Sequence, residues 1–533
     1  MRLQLLAAAS VGVAACFTFE PADFDVVTAL LDVGVDVFQV PGLSDLVDRS
    51  WSNACSMACS TLQTIFGNGS VFMPGESDYQ AFTNSYWSVQ QASVDPRCVF
   101  RPAEARQVSA LVLLSRLSQC PFAVKSGGHA AFAGASSIQG GITVSLSRFN
   151  QVSLSENKQS ATIGPGNVWY DVYTALEPHQ VTVIGGRVAG IGVGGLTLGG
   201  GISFFSNIYG WACDNVLSYT VVTASGTIIT ASPSEHQNLF WALRGGGNNF
   251  GIVTSFNVRA IPQGLMWGGG RFHLETEFPA VIDAYYNLGV NAAKDGNAAQ
   301  ILSFAYVQNT KLASAALQYA QPVANASILA EYMSIPAIGD TTQIRSLANL
   351  TQEFNASNPD GLRETYWAAT FKLDRDFVAF IKDVFFEELV AIADAPALIP
   401  AATLQVITVP QLEHMAQNGG NALGLGTALG PLIVLNMNMM WSDAADDERV
   451  MTANANIVRR TGEEAEKRGL QDEYIYMNYA SQYQDVVGGY GAANQERLRS
   501  VAKSYDPAGV WQKLQPGYFK LDGAPAKMQV GGK

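Results

Sequence analysis

The feature that most constrains the fold is a glycine-rich run at residues 185–201. Nine of its 17 residues are glycine, and Val, Ile and Leu stand between them. Flexible linkers are polar, so this apolar content predicts an ordered segment. A chain that removes side chains over so long a stretch exposes its backbone to something that lies close against it. The run therefore predicts a binding surface built from main-chain amides.

A second candidate stretch lies upstream of the run. A short apolar strand predicted at residues 121–124 leads into residues 125–129, which read Lys-Ser-Gly-Gly-His. His129 is one of five histidines in the chain, and a single histidine is more often a surface or satisfied core residue than a functional one. Its place directly after two glycines, at the end of a strand, makes His129 a candidate for the chemistry of the protein.

A Rossmann fold is the first alternative, because Gly192-x-Gly194 could belong to its dinucleotide fingerprint. That fingerprint needs a strand, a tight loop and the start of a helix, with an acidic residue about 20 positions later. The run shows no helix onset, and Asp214 stands at roughly the right distance but not at a strand end. The sequence therefore argues against a Rossmann fold.

Composition narrows the class of protein. The 533 residues exceed what one ordinary core supports, so two or three domains are expected. Hydrophobic residues make up 48% and charged residues 14%, which indicates extensive burial. The net charge of −13 makes nucleic acid and anionic membranes unlikely partners. We expect small molecules as partners and predict no protein partner.

The N-terminus has the features of a secretory signal peptide. Arg2 is followed by a nearly uninterrupted apolar run to Ala15, with small residues near its end. The run is too short for a membrane anchor, and no later stretch reaches the roughly 18 apolar residues of a spanning helix. We therefore expect residues 1–17 to be removed and the protein to be secreted or to reside in the secretory lumen.

The cysteines and glycosylation triplets fit an oxidising compartment. We expect one bridge, from Cys55 or Cys59 to Cys98, and at least one free thiol among the five cysteines that follow Cys16. The spacing Cys55-x3-Cys59 lacks a second ligand pair, so no metal site is predicted. Acceptor triplets for N-glycosylation begin at Asn68, Asn325, Asn349 and Asn355.

Changes in sequence texture predict the domains. Residues 18–91 form a helical N-terminal segment, with short amphipathic pieces at 43–47 and 60–66. Residues 92–263 form a domain of short strands and glycine turns, which opens with a helix at 103–117. Its clearest strands are predicted at residues 142–146, 160–163 and 219–223, with a hairpin to 227–230.

Glycine becomes rarer after residue 263. Residues 264–470 predict an antiparallel sheet backed by helices. The helices are expected at residues 280–288, 377–391 and 444–468, with strands at 270–274 and 432–439. Residues 471–533 are expected to pack back on the earlier domain. The predicted fold class is therefore α+β.

Three motifs together resemble the FAD-binding domain of the vanillyl-alcohol-oxidase, or PCMH, type. They are residues 125–129, the glycines of 192–201, and residues 244–253, which read Arg-Gly-Gly-Gly-Asn-Asn-Phe-Gly-Ile-Val. The tail is similar to the C-terminal segment of the berberine-bridge-enzyme-like group, with Tyr-Met-Asn-Tyr at 476–479 and Tyr-Asp-Pro-x2-Val at 505–510. The resemblance covers about residues 60–520 and is greatest to secreted fungal members.

The resemblance implies an FAD-linked oxidoreductase with a PCMH-type FAD-binding domain and a separate substrate domain. His129 would bond the 8α-methyl group of the flavin, and Tyr479 would be the catalytic base. Backbone amides would hold the pyrophosphate, and Ile252 would contact the adenine end or the ribose. The implied cofactor-binding residues are Lys125, Ser126, Gly127, Gly128, His129, Gly186, Val188, Gly192, Gly194, Gly195 and Ile252.

Two positions depart from the family pattern. Some members form a second flavin bond through a cysteine four residues before Gly192, where this chain has Val188. His129 would therefore hold the flavin alone. Members that react well with oxygen often carry valine before this glycine, where this chain has Ile191. Oxidase and dehydrogenase behaviour are thus both open.

The expected reaction moves a hydride from a substrate carbon to the flavin, with reoxidation by O2 or another acceptor. The first hypothesis for the substrate is a secondary metabolite, which would be oxidised or oxidatively cyclised. The second is an oligosaccharide oxidised to a lactone. A third hypothesis, from another class, is a flavin-free binding protein that kept the fold.

Overall fold

The computed structural model describes residues 18–40, 43 and 53–528. The expected signal peptide lies outside the described residues, and so does most of the amphipathic piece at 43–47. Over the described chain the fold is a mixture of helices and three sheets, which confirms the α+β class. The proposed domain boundaries stay a prediction.

The helices are distributed along the whole described chain. They are α1 Val26–Asp32, α2 Ala54–Phe66, α3 Ser77–Thr83, α4 Val89–Ala92, α5 Ala105–Ser118, α6 Trp169–Leu176, α7 Val193–Leu198, α8 Ser206–Tyr209, α9 Gln237–Leu243, α10 Phe278–Asn291, α11 Ala330–Ser334, α12 Leu347–Asn355, α13 Arg375–Leu389, α14 Val409–His414, α15 Asp447–Arg468, α16 Ala492–Tyr505 and α17 Val510–Lys513.

The strands form three sheets. The four-stranded sheet has the order β1-β2-β4-β3, with β1 Val71–Phe72, β2 Cys98–Phe100, β3 Phe122–Lys125 and β4 Ile142–Ser145. The six-stranded sheet contains β5 Val152–Leu154, β6 Ser160–Ile163, β7 Val181–Val183, β8 Val216–Val222, β9 Ile228–Ala231 and β10 Ile252–Pro262. The nine-stranded sheet contains β11 Met266–Leu274, β12 Ala298–Val307, β13 Thr310–Tyr319, β14 Gly339–Asp340, β15 Gln343–Arg345, β16 Arg363–Lys372, β17 Ile399–Ile407, β18 Leu432–Trp441 and β19 Gln471–Asp472.

The four-stranded sheet places the strand-end turn that carries His129. Strand β4 lies between β2 and β3 and pairs parallel with both. Helix α5 connects β2 to β3 and buries Val108, Leu111 and Leu114 in the same core as the sheet. It ends where Gln119 takes a left-handed conformation. The chain then enters β3, and the turn at residues 126–129 leaves from the carboxyl end of that strand.

Two disulfides fix this region, where one was expected. Cys59 pairs with Cys98, and Cys55 pairs with Cys120. The expectation of a single bridge was wrong because α2 packs against α5, which brings Cys120 to the start of α2. Among the cysteines that the structure describes, Cys213 is free, and it is buried.

The glycine-rich run contains a short helix, α7, where none was expected. Val193, Leu196 and Thr197 are buried on it, so packing overcomes the poor helix propensity of its glycines. The helix ends at Gly199, after which the positive φ of Gly200 turns the chain away. The Rossmann alternative stays excluded, because β7 before the run pairs antiparallel with β10.

The nine-stranded sheet has one apolar and one polar face, since side chains alternate along each strand. Its strands from β11 to β18 pair antiparallel, and Leu302, Leu404 and Met437 join the core beneath α10, α13 and α15. On the other face, Gln405 bonds to Arg187 of the glycine run. This polar face therefore meets the part of the chain that holds the glycine motifs.

The C-terminal residues return to the first part of the chain. The amide of Phe122 in β3 donates to the carbonyl of Leu514, and Asn249 donates to the carbonyl of Phe519. In the part of the chain that the structure describes, every helix is too short or too polar to cross a bilayer.

Strand β16 carries a buried carboxyl group, Glu364, which is only 1% exposed and whose two oxygens have no hydrogen-bond partner. Burial, with a smaller contribution from Asp360, raises the pKa of Glu364 from 4.5 to about 10. The native protein therefore holds this group protonated at neutral pH, whereas the unfolded chain ionises it. Unfolding releases a proton, so the stability contributed by this group is complete below pH 4.5 and falls as pH rises towards 10.

Replacing Glu364 with Gln should remove this pH dependence. Between pH 5.5 and 7.5 the free energy of unfolding of the variant should rise relative to wild type by roughly 2.7 kcal/mol, at about 1.4 kcal/mol per pH unit. Urea unfolding at both pH values measures the difference. Glu463→Gln on the exposed surface of α15 is the control and should give the same offset at both pH values. Parallel behaviour of wild type and Glu364→Gln would contradict the assignment of a protonated native carboxyl.

Candidate active site

The glycine run, the turn after β3 and the C-terminal segment line one cavity of about 230 Å³. Its walls come from stretches that are far apart in sequence and are joined by the sheets. The predicted site residues that line it are Ser126, Gly127, Gly128, His129, Val188, Gly192, Gly194, Gly195, Ile252 and Tyr479. The cavity thus brings together the two glycine motifs and the C-terminal tyrosine.

The two glycine motifs meet by direct contact of their backbones. A Cβ atom added to Gly127 would lie 2.6 Å from the nitrogen of Gly192, and one added to Gly192 would lie 2.3 Å from the nitrogen of Gly127. Ser126 locks the crossing, because its Oγ accepts from Gly194 N at 3.1 Å and donates to the carbonyl of Pro165. Glycine is therefore required at both positions by the protein itself.

Two predicted residues do not line the cavity. The Nζ of Lys125 donates to the carbonyl and the hydroxyl of Ser85, so the side chain points away from the site. Burial lowers the pKa of Lys125 to about 7. Gly186 lies behind the wall against Trp169, and its carbonyl accepts from the hydroxyl of Tyr173 at 2.7 Å. Both residues support the site from outside.

His129 stands on the turn that the positive φ of Gly128 makes possible. Its ring lies nearly parallel to the indole of Trp87, with centroids 4.0 Å apart and planes at 14°. Removal from bulk water lowers the pKa of His129 to about 4. The imidazole is therefore neutral at physiological pH and presents a nitrogen lone pair.

Tyr479 is held by two donors that the sequence analysis did not identify. Its oxygen accepts from Arg187 Nη2 at 2.8 Å and from Gln405 Nε2 at 2.9 Å. The same Nη2 also donates to Gln405 Oε1 at 2.6 Å, which closes a three-residue ring of hydrogen bonds. The guanidinium of Arg187 therefore stands directly beside the phenolic oxygen of Tyr479.

Arg187 could have been found from the sequence, because it is the one charged residue in the run at 185–201. Gln405 gave no such signal, since it lies in β17 and reaches Arg187 only through folding.

Further tyrosines complete the wall around Tyr479. Tyr476 meets its ring edge to face at 4.8 Å, and Tyr366 does so at 6.1 Å. Burial raises the pKa of Tyr366 and of Tyr476, so both stay protonated at neutral pH. The Tyr476 hydroxyl accepts from Ile202 N and from Asn478 Nδ2. Tyr479 is thus the tyrosine of this wall whose oxygen is placed against a cation.

Comparisons with known proteins identify the family of the chain. A family model described as FAD binding domain matches residues 96–232. The FAD-dependent monooxygenase tpcD of Cochliobolus heterostrophus is 36% identical over 494 residues, which cover 89% of this chain and 95% of that protein. The chain belongs to the family of fungal FAD-dependent oxidoreductases that includes tpcD. It is therefore an FAD-dependent enzyme.

Solved structures share the fold at low sequence identity. The 6-hydroxy-D-nicotine oxidase of Arthrobacter nicotinovorans has a TM-score of 0.72 at 20% identity, over 85% of this chain and 97% of that one. The xylooligosaccharide oxidase of Myceliophthora thermophila has a TM-score of 0.70 at 20% identity, over 89% and 100%.

Two solved forms of the grass pollen allergen Phl p 4 are similar in fold to this chain. The wild type is described as a glucose dehydrogenase and has a TM-score of 0.70 at 16% identity, over 85% of this chain and 97% of that one. An isoleucine-to-valine variant, described as a glucose oxidase, has a TM-score of 0.71 at 15% identity over the same shares.

The residues present fit FAD. The crossing at Gly127 and Gly192 leaves a wall of main chain, which is the surface that a dinucleotide needs. At Gly195 an added Cβ would meet no heavy atom within 4 Å, so this glycine faces open cavity space. FAD supplies the redox chemistry when bound. The protein supplies the backbone wall, the neutral imidazole and the hydrogen-bonded tyrosine.

Gly195→Ala should reduce FAD binding without destabilising the fold. Alanine favours helix α7 by about 1 kcal/mol over glycine, whereas its methyl group would occupy cavity space, and a clash of 1–3 kcal/mol weakens binding by about tenfold or more. Flavin absorbance per chain and the melting temperature measure the two effects. Gly192→Ala is the contrast, because it breaks the backbone crossing and should lower both. A fully loaded Gly195→Ala protein would place FAD elsewhere.

Proposed function

We propose that the enzyme oxidises a small organic substrate by hydride transfer to FAD that is bonded covalently through His129. The observation that carries the proposal is the hydrogen-bonded group of Arg187, Gln405 and Tyr479, whose arginine and tyrosine line the same cavity as His129. It provides a proton acceptor beside a site fit for the cofactor. Reoxidation by O2 would release hydrogen peroxide.

Tyr479 acts as the base in this proposal. Hydride loss from a carbon is assisted when a neighbouring OH, NH or phenol loses its proton. Arg187 and Gln405, the second of them in β17, both donate hydrogen bonds to the phenolic oxygen of Tyr479. They fix the direction in which Tyr479 meets the substrate, and the Arg187 charge balances the negative charge that a base carries.

His129 holds the flavin alone in this proposal. Val188, which lines the cavity at the position of the second bond, has no nucleophilic atom. Cys213, the free cysteine of the described chain, is buried in the core and does not line the cavity. A covalent bond prevents cofactor loss and raises the flavin potential.

We assign the substrate to aromatic or apolar secondary metabolites. The Phe and Tyr residues that line the described cavity are Phe132, Phe256, Tyr366, Tyr476, Tyr479 and Tyr518, and no tryptophan is among its lining residues. An open groove lined by Trp and Tyr would favour sugar stacking and hence the oligosaccharide alternative, which the four tyrosines of the wall and the similarity to xylooligosaccharide oxidase keep in view. The relative tpcD is named a monooxygenase, so transfer of an oxygen atom from O2 to product is a further outcome to measure.

Secretion belongs to the same proposal. Both disulfides suit an oxidising compartment. Asn68, Asn325 and Asn349 are exposed and accessible for glycosylation. Asn355 is half-buried, and its Oδ1 accepts from Gly190 N at 2.8 Å, so this triplet has a structural role in the folded protein.

The purified protein should be yellow, and Tyr479→Phe should keep the colour while losing activity. Removal of a general base slows turnover by about 10²-fold or more. Anaerobic flavin bleaching and peroxide release would be followed with benzylic alcohols, phenols, xylobiose and cellobiose, and oxygen-18 incorporation would be measured. Arg187→Lys, which keeps the charge, should lose less activity than Arg187→Met. A colourless protein overturns the proposal, and an active Tyr479→Phe enzyme removes Tyr479 as the base.

The identity of residue 191 should control the reaction with O2. Ile191 lines the cavity directly before Gly192, and the Phl p 4 pair links an isoleucine-to-valine change to oxidase behaviour in that protein. In Ile191→Val the missing methyl group should raise the rate of reoxidation by O2 by about tenfold, which corresponds to about 1.4 kcal/mol of barrier. Stopped-flow mixing of reduced enzyme with O2 measures this rate. Ile202→Val, at another wall of the cavity, is the control and should leave it unchanged.

A further inference from the structure

A short segment at residues 87–91 forms hydrogen bonds to the backbone on both sides of His129. The carbonyl of Gly128 accepts from Trp87 N and from Gln91 Nε2, both at 3.3 Å. The carbonyl of Ala130 accepts from Ser88 Oγ at 3.0 Å and from Gln91 Nε2 at 2.8 Å. The carbonyl groups of the residues directly before and after His129 are therefore held by one segment, residues 87–91, which we call the brace.

Ser88 and Gln91 of the brace are buried, and both polar atoms of the Gln91 side-chain amide are hydrogen-bonded. Ser88 and Gln91 are 0% exposed. Gln91 Oε1 accepts from the backbone and the hydroxyl of Ser136, so every polar atom of the Gln91 side chain has a partner. A satisfied buried amide resists displacement, because any shift would leave polar atoms unpaired in a medium of low dielectric constant.

The brace also fixes the ring of His129. Trp87 is 3% exposed and stacks on the imidazole at 4.0 Å. Its Nε1 has no partner, so packing and not a hydrogen bond sets the position of the indole. The packing surface is made by Ala131, Leu362, Tyr366 and Met440. One face of the imidazole is thus covered by a flat ring.

The brace is tied to the nine-stranded sheet as well. The carbonyl of Trp87 accepts from Gly361 N at 3.0 Å, and Val89 N donates to the carbonyl of Leu362 at 2.9 Å. Gln90 then pairs with both backbone groups of Glu364 in β16. His129 is therefore positioned from the nine-stranded sheet as well as from its own turn.

We propose that the brace positions His129 for covalent attachment of FAD, with Trp87 and Gln91 as positioning residues. The inference rests on the proposed function. In the attachment reaction a bond forms between a ring nitrogen of His129 and the 8α carbon. One C–H and one N–H bond break, and two electrons and two protons pass to O2, which becomes hydrogen peroxide. The stack with Trp87 would hold the imidazole in the one orientation that attachment needs.

The test is the rate at which FAD becomes covalent. Protein produced with limiting riboflavin would be incubated with FAD and O2, and the flavin that stays with acid-precipitated protein would be measured over time. An aromatic pair contributes about 0.5–1.5 kcal/mol, so Trp87→Leu should attach FAD roughly two- to twelvefold more slowly. Trp87→Phe keeps a flat ring and should attach at close to the wild-type rate. Gln91→Leu should be slowed as well.

A matched control separates positioning from general loss of packing. Trp367 is also a buried tryptophan whose Nε1 has no partner, but it lies in the core on the helix-covered face of the nine-stranded sheet. Trp367→Leu should lose stability and keep the wild-type attachment rate. If Trp87→Leu does not fold, the Trp87→Phe and Gln91→Leu rates decide the question.

The outcomes separate this inference from the proposed function. Wild-type attachment rates in both Trp87→Leu and Gln91→Leu would overturn the brace while leaving the covalent link intact. Covalent flavin in His129→Ala, or fully dissociable FAD in the wild type, would overturn the link and the brace together but not FAD-dependent oxidation. Slow attachment in Trp87→Leu, with normal rates in Trp87→Phe and Trp367→Leu, supports the brace.

Discussion

The cavity depends on a contact between two pieces of main chain, at Gly127 and Gly192. A single methyl group on either residue would drive the two loops apart, since it would fall within 2.6 Å of the opposite backbone. The contact joins the end of β3 to the start of α7. It thereby connects the four-stranded sheet to the glycine run and makes a continuous wall of peptide groups. Both glycines are therefore required by the packing of the protein itself, whether or not a cofactor is bound.

Charge in the cavity is concentrated at one point. Arg187 is the one Lys, Arg, Asp or Glu side chain among the described residues that line it. The imidazole of His129 is neutral because burial lowers its pKa. The polar neighbours of Arg187, Gln405 and Tyr479, are held by hydrogen bonds and not by an ion pair. The guanidinium of Arg187 is therefore the main source of charge at this wall of the cavity. It stands next to the oxygen that the proposed reaction needs as a base.

The sequence predicted the fold class and most of the cavity wall. The two glycine motifs and the C-terminal Tyr-Met-Asn-Tyr motif are contiguous stretches, so they can be recognised in the sequence alone. The sequence did not predict the direction in which side chains point, or contacts between residues that lie far apart in the chain. Lys125 belongs to a motif but its side chain points away, and Gly186 lies behind Trp169.

The missed residues are those that only folding brings to the site. Gln405 reaches Arg187 across 218 residues, and Trp87 meets His129 through packing that no local pattern records. Helix α7 was missed because its glycines conceal the helical spacing of its three buried side chains.

The cavity is lined by residues from distant parts of the chain, so it can form only late in synthesis. Asn478 Nδ2 donates to the carbonyl of Leu196, 282 residues earlier, and Tyr518 closes the same wall. A nascent chain that has passed Gly201 already holds both glycine motifs but lacks the wall that faces them. The enclosed cavity is complete only when nearly the whole chain has left the ribosome. A chain truncated before residue 478 would therefore retain the glycine motifs without an enclosed cavity.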